Sequence, residues 1–304
     1  MSMSLQIGFI GLGKMGSRMV QHLIEEGFEV VVYARNPEAM VEVVQKGAVP
    51  TSSYGEFAAK LTGQKKIFLM VTQGEPVDEV LSGLRPFLSA GDIVIDGGNS
   101  FYKDSMRRAK ALARGGVHFL DVGTSGGLEG ARHGASLMIG GNEEAFKSVN
   151  YVFKALAVEN GYAWVGSSGA GHFAKMVHNG IEYSFLQSLG EGYGLLRKSK
   201  FNFDLREVTK AFRNGSVIRG WLLDLLSRSL EKDPDLKGQS GVIGGGKTGE
   251  WALKTAKELK LKMPALEASM KARKVSQKKP EFFGKVVGAL RFEFGGHEAP
   301  KKGK

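Results

Sequence analysis

The chain has 304 residues, more than one compact core usually fills, so two domains are expected. Its composition, 42% hydrophobic and 24% charged, is that of a folded globular protein, and the absence of cysteine excludes disulfides, thiolate catalysis and Cys-ligated zinc. No stretch approaches the ~18 consecutive apolar residues of a membrane span. The net charge of +11 fits a basic solvated surface, to which Lys301, Lys302 and Lys304 contribute, or a cleft that concentrates small anions; no nucleic-acid module accompanies it, so nucleic acid is not expected as a partner.

The first predicted strand, Gln6–Ile10, starts too early to leave room for a signal peptide, which points to a cytoplasmic protein. It runs into Gly11-Leu12-Gly13-Lys14-Met15-Gly16, and a helix is predicted over Met15–Glu26. A G-x-G-x-x-G run between strand and helix is the fingerprint of a dinucleotide site. Gly11 allows the tight turn, Gly13 lets backbone approach a pyrophosphate, and Gly16 lets the helix pack closely. The bland alternative is a glycine-rich turn with no ligand. The second strand, Glu29–Tyr33, is followed by Ala34, Arg35 and Asn36, where an NAD enzyme places an acidic residue about 20 residues beyond the motif. Without that carboxylate nothing repels a 2′-phosphate, and a guanidinium can pair with it. NADP is therefore the expected cofactor, with NAD as the second choice; otherwise Arg35 is a solvated charge opening the next helix, Pro37–Lys46.

The strand Lys66–Val71 brings Val71 and Thr72 to a carboxyl end, where Rossmann sheets present ligand-binding groups. A helix over Pro76–Leu84 follows, then the strand Ile93–Asp96, which ends in Asp96-Gly97-Gly98-Asn99-Ser100. After the helix Lys103–Ala113, the strand His118–Asp121 leads into Gly123-Thr124-Ser125-Gly126-Gly127, whose hydroxyl and open backbone N–H groups suit a carboxylate or hydroxyl ligand. Further strands are predicted at Ser136–Ile139 and Ala163–Val165. This alternation implies a mostly parallel sheet with helices on both faces. After Gly166-Ser167-Ser168-Gly169 the pattern turns helical, with a long helix from Ala170 to about Arg197 and breaks at Asp233-Pro234, Gly244-Gly245-Gly246 and Pro264. The fold class is thus an α/β Rossmann-type N-terminal domain, residues 1–165, with an all-α C-terminal domain, residues 166–304.

On the long helix Lys175, Asn179 and Glu182 stand at i, i+4, i+7 and share a face, bordered by His178 and Tyr183. A lysine, an amide and a carboxylate so stacked can divide proton transfers; equally, the face could be ordinary polar surface with His178 paired to Glu182. No metal is expected: His172 and His178 lie on different faces and no H-E-x-x-H pattern occurs.

The runs Ile7–Gly16, Asp96–Arg108, Gly123–Gly141, Gly169–Tyr183, Arg213–Leu223 and Arg291–His297 together resemble the 6-phosphogluconate dehydrogenase family in its short form. The resemblance implies oxidative decarboxylation of 6-phosphogluconate to ribulose 5-phosphate, in the pentose phosphate pathway or in gluconate utilization. It makes Lys175 the general base and Glu182 the proton donor to C1. Asn99, Ser125, Gly126, Gly127, His178 and Asn179 would hold the carboxylate and hydroxyls, with Asn99 also touching nicotinamide. Tyr183, Arg291 and His297 would contact the phosphate, the last two from a tail that in the family enters the neighbouring subunit's site, which implies a homodimer or homotetramer. Two departures stand out. Glu250 occupies the place of a basic residue before Trp251, with Lys247 as the substitute charge, and the helix after Pro264 is short, with Arg273 as the best match to the other phosphate arginine. The alternatives are a 3-hydroxyisobutyrate-type dehydrogenase, which normally lacks the Asp96–Tyr102 run, the Ile181-Glu182-Tyr183 extension and the Arg/His tail, and a non-enzymatic NADP-binding scaffold or sensor.

Overall fold

The computed structural model describes residues 5–297, which divide by their internal contacts into two compact units, one up to Met176 and one from Val177 onward. The first unit is built on eight strands: β1 (Gln6–Ile10), β2 (Glu29–Tyr33), β3 (Val49–Thr51), β4 (Lys66–Leu69), β5 (Ile93–Asp96), β6 (His118–Ser125), β7 (Ala135–Gly140) and β8 (Ala157–Gly166). They lie in the order β3-β2-β1-β4-β5-β6-β7-β8, parallel except that β7 runs against β6. The order reverses between β1 and β4, so the glycine turn after β1 stands at the topological switch point, where such sheets bind ligands.

Side chains alternate along each strand and feed two separate cores. Ile7, Phe9, Val30, Val32, Phe68, Ile93 and Ile95 point to one face, and Ile10, Val31, Ile67, Leu69 and Val94 to the other. Each core needs a helical cover. That cover is drawn from α1 (Gly16–Glu25), α2 (Val41–Gln45), α3 (Tyr54–Lys60), α4 (Glu75–Leu84), α5 (Tyr102–Ala113), α6 (Gly127–His133), α7 (Glu143–Ser148) and α8 (Asn150–Leu156). The predicted helix Pro37–Lys46 is instead a 3₁₀ turn, Pro37–Met40, followed by the short α2. The predicted strand Lys66–Val71 stops at Leu69, and the predicted His118–Asp121 extends to Ser125 because β7 pairs with its second half. The strand β3 and the helix α3 have no counterpart in the sequence reading.

Helix α9 (Ala170–Lys198) runs from the first unit into the second. The second unit continues through α10 (Leu205–Arg213), α11 (Trp221–Lys232), α12 (Thr248–Glu258), α13 (Pro264–Ser276) and α14 (Phe282–Gly295). Its core joins Leu186, Leu189 and Tyr193 of α9 with Leu223, Leu226 and Leu230 of α11 and Val286, Val287 and Leu290 of α14. The predicted breaks fall where helices end or begin: α11 stops before Asp233-Pro234, α12 starts after the glycine run, and α13 starts at Pro264. No helix among the described residues is long and apolar enough to cross a membrane.

Candidate active site

The glycine turn has the shape a dinucleotide needs. A Cβ on Gly11, whose φ is +101°, would lie 2.4 Å from the Met70 carbonyl oxygen, and one on Gly16 would lie 1.9 Å from that of Gly11. Beside Gly13, by contrast, nothing stands within 4 Å of where a Cβ would be, so the backbone there is open to an approaching ligand. These residues fit a pyrophosphate at the N-terminus of α1, with Leu12 buried and Lys14 exposed beside it. Ala34 and Arg35 follow β2 directly. Arg35 projects into solvent with its Nη1 3.4 Å from a Glu79 carboxylate oxygen, while Asn36 caps the 3₁₀ turn by accepting from the Glu38 N–H at 3.1 Å. Val71 and Thr72 lie just beyond β4, which ends at Leu69.

The loop bearing Asn99 is held from below by a buried charge network. Asp96, fully buried at the end of β5, accepts from the Gly98 N–H at 3.1 Å and from the Ser100 hydroxyl at 2.7 Å. Arg108 is 1% exposed, so its guanidinium needs internal partners. It donates to both Asp78 carboxylate oxygens (3.0 and 3.1 Å), to the Gly74 carbonyl (2.8 Å) and to the Ser100 hydroxyl (3.3 Å). Arg108 thus ties the segment after β4 to the segment after β5, its neighbour in the sheet.

Asp78 provides a pH handle on this network. Arg108, with Arg107 adding to it against the cost of burial, holds the Asp78 carboxyl at about 2 instead of 3.8. Because the folded value is depressed, the stabilisation is complete above the ordinary carboxylate pKa and is lost as pH falls toward the folded one. In denaturant unfolding, the stability gap between wild type and Asp78→Asn is expected to shrink as pH drops from about 4 to about 2. A gap independent of pH across that window would contradict this role.

The first turns of α9 are seated on β6 and β7 by contacts that local sequence does not announce. Asp121, fully buried in β6, accepts from the Gly169 N–H at 2.6 Å and from the His172 N–H at 2.9 Å, capping the helix from 48 and 51 residues away. A buried carboxylate there is stabilised by the unsatisfied N–H groups and positive end of the helix. The His172 ring bonds through Nδ1 to the Ser105 hydroxyl at 2.7 Å, joining α5 to α9. A Cβ on Gly123 would sit 2.5 Å from Lys175 Cβ and 2.8 Å from the Gly171 carbonyl oxygen, so the strand passes directly beneath the lysine. Ser125, Gly126 and Gly127 follow at the turn into α6, partly exposed. Asp121 and Arg108 were not singled out by the sequence reading, and Gly123 was named there only as part of a ligand-binding turn. The signal that could have found them is a charge or a glycine at a strand or helix position the pattern marks as core.

In the second unit α9 presents His178, Asn179, Glu182 and Tyr183. His178 Nδ1 lies 3.1 Å from Asn179 Oδ1 and 3.8 Å from a Glu182 carboxylate oxygen. Tyr183 lines a small cavity with Leu186 and Gln187 of α9, Gly244, Arg273 and Arg291. Burial raises the Tyr183 phenol, as does Glu182, while Arg291, a hydrogen bond with Thr248 and Arg273 oppose the rise. Burial likewise pulls the Arg291 guanidinium below its usual range; Arg273 adds to the fall, and Tyr183 and Glu182 oppose it. Arg273 donates to the carbonyls of Gly245 and Gly246, which anchors the glycine run ahead of α12. Lys247 stands exposed at the start of that helix. The structure therefore brings Arg291 to Tyr183 and Arg273 of its own chain. For this arginine that differs from the expectation of reaching into a neighbouring subunit, because α14 packs on α11 and α9 in the core of its own unit. His297 lies just past α14, its ring 6.3 Å from that of Phe294 and set edge-on.

A doubly covered sheet with its glycine turn at the switch point, followed by a helix carrying lysine, asparagine and glutamate, defines a Rossmann-type dehydrogenase with a helical second unit. Residues 6–166 match the family model of the NAD binding domain of 6-phosphogluconate dehydrogenase, and residues 171–200 match that of the 6-phosphogluconate dehydrogenase C-terminal domain. The chain belongs to the 6-phosphogluconate dehydrogenase family. The YqeC protein of Bacillus subtilis is 44% identical over 298 residues, 98% of this chain and 100% of its own. An NAD(+)-dependent, decarboxylating 6-phosphogluconate dehydrogenase of Haloferax volcanii is 40% identical over 98% of this chain and 99% of its own. Among solved structures, the Plasmodium falciparum 6-phosphogluconate dehydrogenase, studied with NADP+ and with 6-phosphogluconate, superposes with a TM-score of 0.83 at 31% identity. That match covers 89% of this chain but 62% of the other, so the present chain spans less than two thirds of that relative. A 3-hydroxyisobutyrate dehydrogenase of Mycobacterium tuberculosis shares the fold, with a TM-score of 0.76 at 21% identity.

Proposed function

We propose that the protein oxidatively decarboxylates 6-phosphogluconate to ribulose 5-phosphate and carbon dioxide, with NADP as the preferred cofactor and NAD as the second. The observation that carries this reading is the placing of Lys175, Asn179 and Glu182 at i, i+4, i+7 on α9, the helix that also brings Tyr183 to a two-arginine cavity. The dinucleotide-binding domain comprises residues 1–165 and the substrate and oligomerisation domain residues 166–304. The protein acts in the cytoplasm as a homodimer or homotetramer, with His297 as the tail residue that completes a neighbouring site.

NADP, held by the glycine turn after β1 and by Arg35, would supply the hydride-accepting chemistry at C3 of the substrate. Lys175 takes the C3 hydroxyl proton as that hydride leaves, and returns it to the C3 oxygen while the C1 carboxylate departs as carbon dioxide. Glu182 then protonates the carbon that becomes C1 of the product, and Lys175 accepts the remaining enediol hydroxyl proton as the ketone forms. In general a lysine serves as a base near neutral pH only when desolvation or a neighbouring charge lowers its pKa from about 10.4. Asn99, Ser125, Gly126, Gly127, His178 and Asn179 hold the carboxylate and hydroxyls, and Tyr183, Arg273, Arg291 and Lys247 hold the phosphate. Leu12, Lys14 and Met15 carry the backbone that meets the pyrophosphate, and Arg35 meets the 2′-phosphate.

Cofactor reduction followed by the absorbance of the reduced nicotinamide, together with carbon dioxide release, tests the reading. Both should appear with 6-phosphogluconate. Reduction without carbon dioxide would favour a 3-hydroxyisobutyrate-type activity, and neither would favour a binding scaffold. Gly123→Ala pushes a Cβ against Lys175 and is expected to lower kcat by roughly 10- to 100-fold, since displacing a reacting group by about 1 Å costs that much. The dissociation constant for NADP should stay unchanged, and an unaltered kcat would refute the positioning.

A further inference from the structure

Arg35 is not alone at the end of β2. Its Nη1 lies 3.4 Å from a carboxylate oxygen of Glu79, which α4 supplies from the strand on the other side of β1. The two side chains therefore meet across the carboxyl end of β1, the strand that leads into the glycine turn. They are 75% and 53% exposed, so the pair contributes little to the stability of the fold. Its consequence is for what Arg35 can bind. A 2′-phosphate on this guanidinium would be placed next to a fixed negative charge. An unphosphorylated ribose would meet no such repulsion. The positive charge selects for one cofactor while its neighbour works against it.

We infer that Glu79 is a specificity-determining residue, which lowers the preference for a 2′-phosphorylated dinucleotide by partly neutralising Arg35. The inference rests on the proposed role of Arg35. It adds a residue outside the fingerprint and gives a physical reason for a chain with an arginine after β2 to retain NAD as a usable cofactor.

Equilibrium binding by titration calorimetry tests it, with NADP and NAD as separate ligands and turnover as a second readout. Glu79→Gln should tighten NADP on the order of fivefold, as expected for one exposed charge facing a phosphate in water at this range, and leave NAD within about twofold. The gain should shrink as salt is raised, because exposed charges are screened. A gain in affinity for one cofactor alone cannot come from damaged folding. An unchanged NADP to NAD ratio in Glu79→Gln, alongside a ratio that falls in Arg35→Met, would overturn the inference while leaving the proposed role of Arg35 standing. An unchanged ratio in Arg35→Met would overturn both. A full gain from Glu79→Gln in the Arg35→Met background would also overturn it, since Glu79 would then act without Arg35.

Discussion

Lys175→Met is expected to reduce kcat for 6-phosphogluconate by about 10³-fold or more while leaving the dissociation constants of substrate and cofactor nearly unchanged. General acid–base groups typically contribute roughly 10²–10⁴-fold, and this lysine is assigned three successive proton transfers. Methionine keeps the length and the apolar stem that packs over Gly123, so the seat of α9 on β6 is preserved and only the amine is lost. Glu182→Gln should spare hydride transfer and slow the later protonation of C1. Single-turnover kinetics separates the two, because the glutamine variant should still show a burst of reduced cofactor. Turnover at the wild-type rate in the lysine variant would end the proposed mechanism.

Arg291→Met is expected to lower kcat/KM for 6-phosphogluconate by about 100-fold, since removing one member of a buried charge pair costs roughly 2–5 kcal/mol. Arg291 is desolvated and stands near a second guanidinium, Arg273, which disfavours its charge until an anion arrives. A phosphate dianion relieves that cost, so binding energy is drawn from a strained site. Substrate lacking the phosphate should therefore be used about as poorly by the variant as by wild type, and NADP affinity should not change. Equal KM values for 6-phosphogluconate in the two proteins would remove Arg291 from the phosphate site.

The difference between what was readable and what was not follows the range of the forces. The glycine fingerprint was readable because its constraints are local: a turn with positive φ at Gly11 and helix packing on Gly16 act within a few residues. The strands β1, β2 and β5 were readable because both faces are covered, which makes their apolar runs continuous. The strand β3 was hidden by its three-residue length and by Pro50, which is tolerated because β3 lies at the sheet edge and owes no hydrogen bond on its outer side.

The sequence by itself determined the dinucleotide fold, the candidate cofactor preference through Ala34 and Arg35, and the order of chemical groups along α9, since helical spacing alone puts Lys175, Asn179 and Glu182 on one face. Only the tertiary structure decided what holds that helix and which charges oppose each other. Asp121 reaches the N–H groups of Gly169 and His172 across about fifty residues of chain, Glu79 faces Arg35 across 44, and Arg291 meets Tyr183 within its own chain. Such pairings depend on which strand ends the sheet brings together and on how the helices pack, and a periodicity confined to one element carries no record of either.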